Sequence, residues 1–251
     1  DNGFHGVLTD ILRKGYGIGH LYHYIEYQKD HYPIGSALIR FIENYDEKRA
    51  LEQFPVESYR AALAALFLLG HVPLIHNGQR QGDTWKVFVD NLIGHDWHGH
   101  FNSRRHGVDY AYDRFEELYR KSKVLQSGTV VPIAASSDKV FAFGRSMGQE
   151  SVIGAINFDG GRQYFQARLS QDCLPQAQGT HRNLYCLKPL FDSRTGAVQK
   201  SPELFTGYEI VNGASVTGEL EGFDTILFSL EPVSRTEKHL SRIFYDSLLR
   251  F

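Results

Sequence analysis

Apolar residues recur at helical spacing through four stretches of the first half of the chain, residues 7–14, 18–29, 57–69 and 111–123. The pattern predicts four helices. Between them lie short, nearly continuous apolar runs closed by polar or glycine residues. One is Leu38-Ile39-Arg40-Phe41-Ile42, leading into Glu43-Asn44-Tyr45-Asp46; another is Val72-Pro73-Leu74-Ile75-His76, leading into Asn77-Gly78-Gln79. Residues 4–8 form a weaker third run that reads either as a strand or as the start of the next helix. Apolar runs alternating with helices are what a parallel sheet covered on both faces requires. Residues 1–127 therefore read as α/β.

Past Ser127 the rhythm shortens. Strands are predicted at 140–143, 151–158, 164–169, 183–187, 205–211 and 225–230, separated by turn signals such as Asp159-Gly160-Gly161 and Asn212-Gly213. This spacing reads as all-β, an antiparallel β-sandwich over residues 128–232. The remainder, 233–251, carries Leu240, Ile243, Phe244 and Leu248 at helical spacing. It predicts a C-terminal helix that packs on the body or meets a partner.

Composition narrows the function classes. With 251 residues, 42% of them hydrophobic and 22% charged, the chain can bury a sizeable core, which excludes disorder. A complete (β/α)8 barrel needs about 250 residues, and only the first 127 precede the strand-rich half. Lys+Arg 27 against Asp+Glu 29 leaves a net charge of −2 and no basic footprint for nucleic acid. No apolar run approaches the roughly 20 residues that cross a bilayer, so no membrane partner is expected. The 14 Tyr, 17 Phe and 2 Trp suit cores and stacking on sugars alike. Cys173 and Cys186 are too few for a disulfide framework and lack metal spacing; they could meet across a hairpin or stay reduced. The chain opens at Asp1 without an apolar leader-like stretch, which reads as a removed start or as a piece of something longer.

Asp46 is the most informative acidic residue. It closes a buried-looking run, and the C-terminal ends of parallel strands are where α/β barrels carry their chemistry. Glu43, Asn44 and Asp46 would crowd that end, with Arg49 at hand to keep a carboxylate ionised. By spacing alone, the plainer reading is an Asp that caps the next helix. Gly144-Arg145-Ser146-Met147-Gly148 fits the nucleophile-elbow pattern, but a strand follows where that elbow needs a helix, so it reads as a hairpin turn. His95, Asp96, His98, His100 and His106, interleaved with Trp97 and glycines, read as a loop after the second apolar run. Alternation within a loop does not by itself converge three or four ligands, so the segment reads as a substrate-lining or solvated loop and no metal is assigned. Gly15, Gly17 and Gly19 follow a helix rather than a strand. They end one helix and open the turn into the next, with no phosphate cradle.

The wording around Asp46 adds a resemblance. Residues 38–50, with Glu43-Asn44-Tyr45-Asp46 and Arg49, resemble the strand-seven motif of the α-amylase family of glycoside hydrolases, usually Glu-Asn-His-Asp with an Arg three further on. Residues 61–79, ending Gly70-His71-Val72-Pro73-Leu74-Ile75-His76-Asn77-Gly78-Gln79, are similar to that family's helix seven and strand eight. Residues 115–121 resemble its last barrel helix, and residues 140–145 and 152–158 the opening strands of its C-terminal β-sandwich. The order and spacing of these matches make the resemblance specific across residues 38–158.

The resemblance implies a partial (β/α)8 TIM barrel, about strands six to eight, in residues 1–127, followed by the β-sandwich. Asp46 would be the family's third carboxylate, which hydrogen-bonds sugar hydroxyls and stabilises the oxocarbenium-like transition state. Glu43, Asn44, Tyr45, Arg49, His76 and Gln79 fall at substrate-binding positions, with Tyr45 where the family usually has a His. A retaining glycosidase also needs a nucleophile and a general acid about 5 to 5.5 Å apart. In this family they lie on strands four and five, and no segment here matches either. The expectation is thus a portion of an α-glucan-acting retaining glycoside hydrolase that takes an α-glucan or maltooligosaccharide and uses no cofactor. The rest of the barrel would lie in a missing N-terminal segment or a partner chain, and the isolated chain would be inactive. Tyr45 and the absent carboxylates support a second reading, a non-catalytic amylase-like carbohydrate-binding or scaffolding protein.

Overall fold

A computed structural model describes residues 1–33, 35–84, 108–174, 183–194 and 201–233. The His-rich stretch from His95 to His106 and the helix expected over 237–251 lie outside the described residues. Helix α1 (Asn2–Leu12) starts at once, because the Asp1 carboxylate accepts the Phe4 N–H at 3.1 Å and caps it. Residues 4–8 are therefore helical, and Phe4, Leu8 and Ile11 turn inward at helical spacing. Gly15 takes φ 74°, the left-handed backbone expected of a turn glycine, before α2 (Gly19–His31) buries Leu21 and Ile25.

Strand β1 (Ile39–Arg40) and strand β2 (Val72–Pro73) pair in parallel, Ile39 with Val72 and Arg40 with Pro73. Both are shorter than the apolar runs that contain them. Helices α3 (Ala50–Gln53) and α4 (Val56–Leu68) connect them. Every residue of α4 from Ala61 to Leu68 is buried, as an alanine-rich helix that is apolar all round must be. Two further helices, α5 (Val108–Lys121) and α6 (Lys123–Ser127), lead into the strand-rich half. Among the described residues no helix is long and apolar enough to cross a membrane.

That half holds two antiparallel sheets. The larger has the order β3-β4-β5-β10-β7-β8, from β3 (Thr129–Ile133), β4 (Val140–Met147), β5 (Glu150–Asn157), β7 (Leu184–Asp192), β8 (Glu203–Thr206) and β10 (Thr225–Pro232). The smaller pairs β6 (Gln163–Arg168) with β9 (Ser215–Leu220). Along β4 the side chains alternate between two cores. Phe141 and Phe143 join the core of the helices, whereas Val140 and Ala142 meet Phe165 and Val216 of the smaller sheet. A strand covered on both faces reads as one apolar run.

One strand expectation is corrected, and two strands, β3 and β9, lie where none was predicted. The strand predicted at 205–211 ends at Thr206, and helix α7 (Gly207–Val211) follows. A capping box made by Thr206 and Glu209 starts that helix against the strand-like pattern of its apolar residues. Strand β3 carries Pro132, which removes a ladder donor and hides the strand in the sequence; it is tolerated because β3 is an edge strand. Strand β9 contains Gly218, which reads as a break, yet the Phe165 ring lies only 2.7 Å from where a Cβ would stand. Ser146 pairs with Ser151 in the β4–β5 hairpin, so it sits on no nucleophile elbow. Cys173 and Cys186 are both free thiols.

Candidate active site

The parallel register of β1 and β2 places the loops that follow them side by side. The first loop carries Glu43, Asn44, Tyr45 and Asp46; the second carries His76 to Gln79. Asn44 shapes the first loop: its Oδ1 accepts the backbone N–H groups of Asp46 and Glu47, each at 2.9 Å. This side-chain turn fixes the backbone that presents Tyr45, 57% exposed, and the exposed Asp46. Asp46 does not cap α3. The first N–H of that helix, from Ala50, goes at 2.5 Å to Glu43 Oε2.

Glu43 and Arg49 lie beneath the loop. Arg49 Nη2 is 2.9 Å from Glu43 Oε1, an ion pair whose N–H is not aligned as a hydrogen bond. Burial pushes Glu43 up to about 7, against the attraction of Arg49 and the Ala50 hydrogen bond. The cation expected to keep a carboxylate of this cluster ionised is thus engaged with Glu43. Its other nitrogens donate across the gap, Nη1 to the Asn77 carbonyl at 2.9 Å and Nε to the Asp83 carbonyl at 3.0 Å.

Gln79 is 1% exposed and also works from below. Its Oε1 accepts the His76 N–H at 2.9 Å, and its Nε2 donates to the Tyr112 hydroxyl. Tyr59 closes this network, 3.2 Å from the Tyr112 oxygen. His76 itself is half-buried on the second loop. The structure therefore sorts the sequence-derived site residues into an upper group, Asn44, Tyr45, Asp46 and His76, and a buried group, Glu43, Arg49 and Gln79.

A raised carboxyl pKa is one mark of a general acid. Glu43 has that property but not the access, because both oxygens face Arg49 and the α3 N-terminus in the interior. Asp46 is exposed, so its carboxylate can accept hydrogen bonds from a ligand. Among the described residues no group of three His, Cys, Asp or Glu is placed to hold a metal ion.

No family model matches the sequence, and no curated protein does. Solved structures do match. A maltogenic α-amylase from Thermotoga neapolitana superposes with a TM-score of 0.67 at 16% identity, covering 88% of this chain and 48% of that one. A three-domain cyclomaltodextrin glucanotransferase gives 0.63 at 20% identity, covering 90% and 43%. An α-amylase from Geobacillus thermoleovorans, complexed with acarbose, gives 0.60 at 17%, covering 92% and 47%. The fold is α-amylase-like. The chain spans just under half the length of each of these proteins.

Within this α-amylase-like fold, sequence reasoning missed the groups that hold the loops from below. Asp83 is 3% exposed and fastens Arg49 through its carbonyl. His5 of α1 stacks on Phe41 at 5.5 Å between ring centroids and lies 4.0 Å from Glu47. The signal for His5 was present: it shares the inward face of α1 with Phe4 and Leu8. Asp83 carries no such periodic mark.

Proposed function

We propose that this chain contributes the transition-state-stabilising carboxylate, Asp46, to a retaining glycoside hydrolase of the α-amylase type acting on α-glucans. In this reading residues 1–127 are about strands six to eight of a (β/α)8 barrel and residues 128–232 a β-sandwich. The observation that carries it is the exposed Asp46 just past a parallel strand, beside the loop of the adjacent parallel strand. The similarity to a maltogenic amylase and to an acarbose-bound amylase supports an α-glucan or maltooligosaccharide as ligand.

Asp46 would accept hydrogen bonds from sugar hydroxyls, and these strengthen as positive charge develops on the ring. Asn44 holds its backbone in place, and Tyr45 and His76 flank the sugar. Glu43, Arg49 and Gln79 act as positioning residues beneath. The nucleophile and general acid come from outside these 251 residues. Alone, the chain is then inactive.

Tyr45 favours a second reading, a carbohydrate-binding or scaffolding protein, since a phenol stands where the resemblance places a His. Assay of the full-length protein on starch and maltooligosaccharides separates the two. Hydrolysis or transglycosylation supports the enzyme; saturable binding without turnover supports the binder.

A further inference from the structure

Where β1 and β2 begin, at the end of the strand pair away from Asp46, lies a second cavity of about 410 Å³. It is separate from the site above: Ser36 and Ala37 precede β1 and Gly70 and His71 precede β2, whereas the site loops follow those strands. Arg40 and Arg145 line it, each 1% exposed, together with the exposed Lys29 and Thr129. Among the described residues lining it there are three cations and no carboxylate, although Glu26 outside the lining pairs with Lys29 at 2.6 Å.

The charges are incompletely matched. Arg40 gives Nη1 to the Leu69 carbonyl at 2.6 Å and Nη2 to Gln28 at 2.5 Å. Its Nε has no hydrogen-bond acceptor, and the Asp1 carboxylate stands 3.5 Å away. Arg145 is held by carbonyls alone: Gly128 takes Nε at 3.0 Å and Nη2 at 2.6 Å, and Leu68 and Leu125 take Nη1. These carbonyls at the ends of α4 and α6 supply partial negative charge. Among the described residues Arg145 has no carboxylate partner.

A buried guanidinium without a counter-charge is costly unless an anion joins it. The neighbouring groups bear this out. Burial, and then the charge of Arg40, push Arg145 down to about 9. Burial followed by both arginines pushes His71 down to about 4, so it is neutral near pH 7. Its Nδ1 accepts the Leu38 N–H at 3.2 Å, and the protonated ring nitrogen is engaged with the Ser36 backbone. His71 holds φ 65°, a left-handed backbone that a non-glycine residue keeps only under constraint, and such strain concentrates at ligand sites.

We propose that this cavity binds a phosphate-class anion, either free phosphate or the phosphoryl group of a sugar phosphate. Guanidinium forks match the oxygens of a phosphoryl group, and the volume falls within the range of small-molecule sites. An anion here would neutralise Arg145 and fasten the first residues of β3 to the starts of β1 and β2.

The test is calorimetric titration of the full-length protein with inorganic phosphate at constant ionic strength, with a parallel titration by glucose 1-phosphate. Saturable one-to-one binding is expected. Tighter binding of the ester assigns a sugar phosphate; equal or weaker binding assigns free phosphate. Lys29→Glu and Thr129→Asp each add negative charge at an exposed lining position. Each should weaken binding about tenfold, or about 1.4 kcal/mol. No saturable binding of either probe, or affinity unchanged in both variants, overturns the proposal. The readout needs no glucan turnover, so it stands or falls apart from the role of Asp46.

Discussion

Arg49 Nη2 lies 2.9 Å from Glu43 Oε1, and both side chains are 1% exposed. The same guanidinium reaches the Asn77 and Asp83 carbonyls, so one buried cation ties the loop after β1 to the loop after β2. Removing one member of a buried ion pair costs about 3 to 5 kcal/mol, because the other charge is left without a partner. Arg49→Met should lose about that much in urea unfolding above pH 7, where Glu43 is ionised. The Glu43→Gln, Arg49→Met double variant should lose less than the sum of the singles. Additive losses would show that the two charges do not act as a pair.

The pH dependence contains two opposed contributions. Folding raises Glu43 from 4.5 to about 7, chiefly by burial. The native state keeps a proton that the unfolded chain releases, so this contribution is lost as pH rises through that window. Folding lowers His71 from 6.5 to about 4, again chiefly by burial. Its contribution is lost as pH falls from 6.5 towards 4. Relative to the parent, the stability profile of Glu43→Gln should tilt upward with pH between about 4.5 and 6.5. That of His71→Asn, where Asn tolerates the left-handed backbone, should tilt downward. Thermal melts across the window measure both, and tilts of the same sign would contradict the assignment.

Gly154 sits in β5 between Phe143 and Leu227, its partners on the two neighbouring strands. A Cβ there would stand 2.6 Å from Leu227 Cδ2 and closer still to the Phe143 ring. Gly154→Ala should therefore cost about 1 to 3 kcal/mol through overpacking. An unchanged urea midpoint would mean that the core shared by Phe143 and Leu227 gives way more easily than its packing implies.

Thr206 starts α7 by accepting the Glu209 N–H at 3.1 Å, while the Glu209 carboxylate returns to the Thr206 N–H at 2.7 Å. Thr206→Ala should cost about 1 kcal/mol. Thr206→Ser should retain most of that stability. Equal losses in the two variants would contradict the capping role.

These elements also explain what was legible in the sequence. Helix α4 and strand β4 could be read directly, because burial on all sides leaves an unbroken apolar run. Helix α7 could not, because five residues are too few to show a period and only the Thr206–Glu209 spacing marks it. Strand β9 was masked by Gly218, a glycine needed for the close approach of Phe165. At the candidate site, spacing singled out Asp46, Glu43 and Arg49 and the resemblance gave Asp46 its role, but neither could separate the exposed Asp46 from the two buried partners. That difference arises from the return of the chain at Asn77 and Asp83, more than 25 residues beyond Arg49, and no local pattern records it.

The most direct test of the proposed function is Asp46→Asn in the full-length protein, assayed for kcat on a maltooligosaccharide alongside a melting curve. An exposed substitution away from the core should leave stability within about 0.5 kcal/mol. The loss of a group that binds the transition state more tightly than the substrate should lower kcat by about 10² to 10³-fold. Parent-like turnover by the Asn variant, with the fold intact, would contradict the role assigned to Asp46.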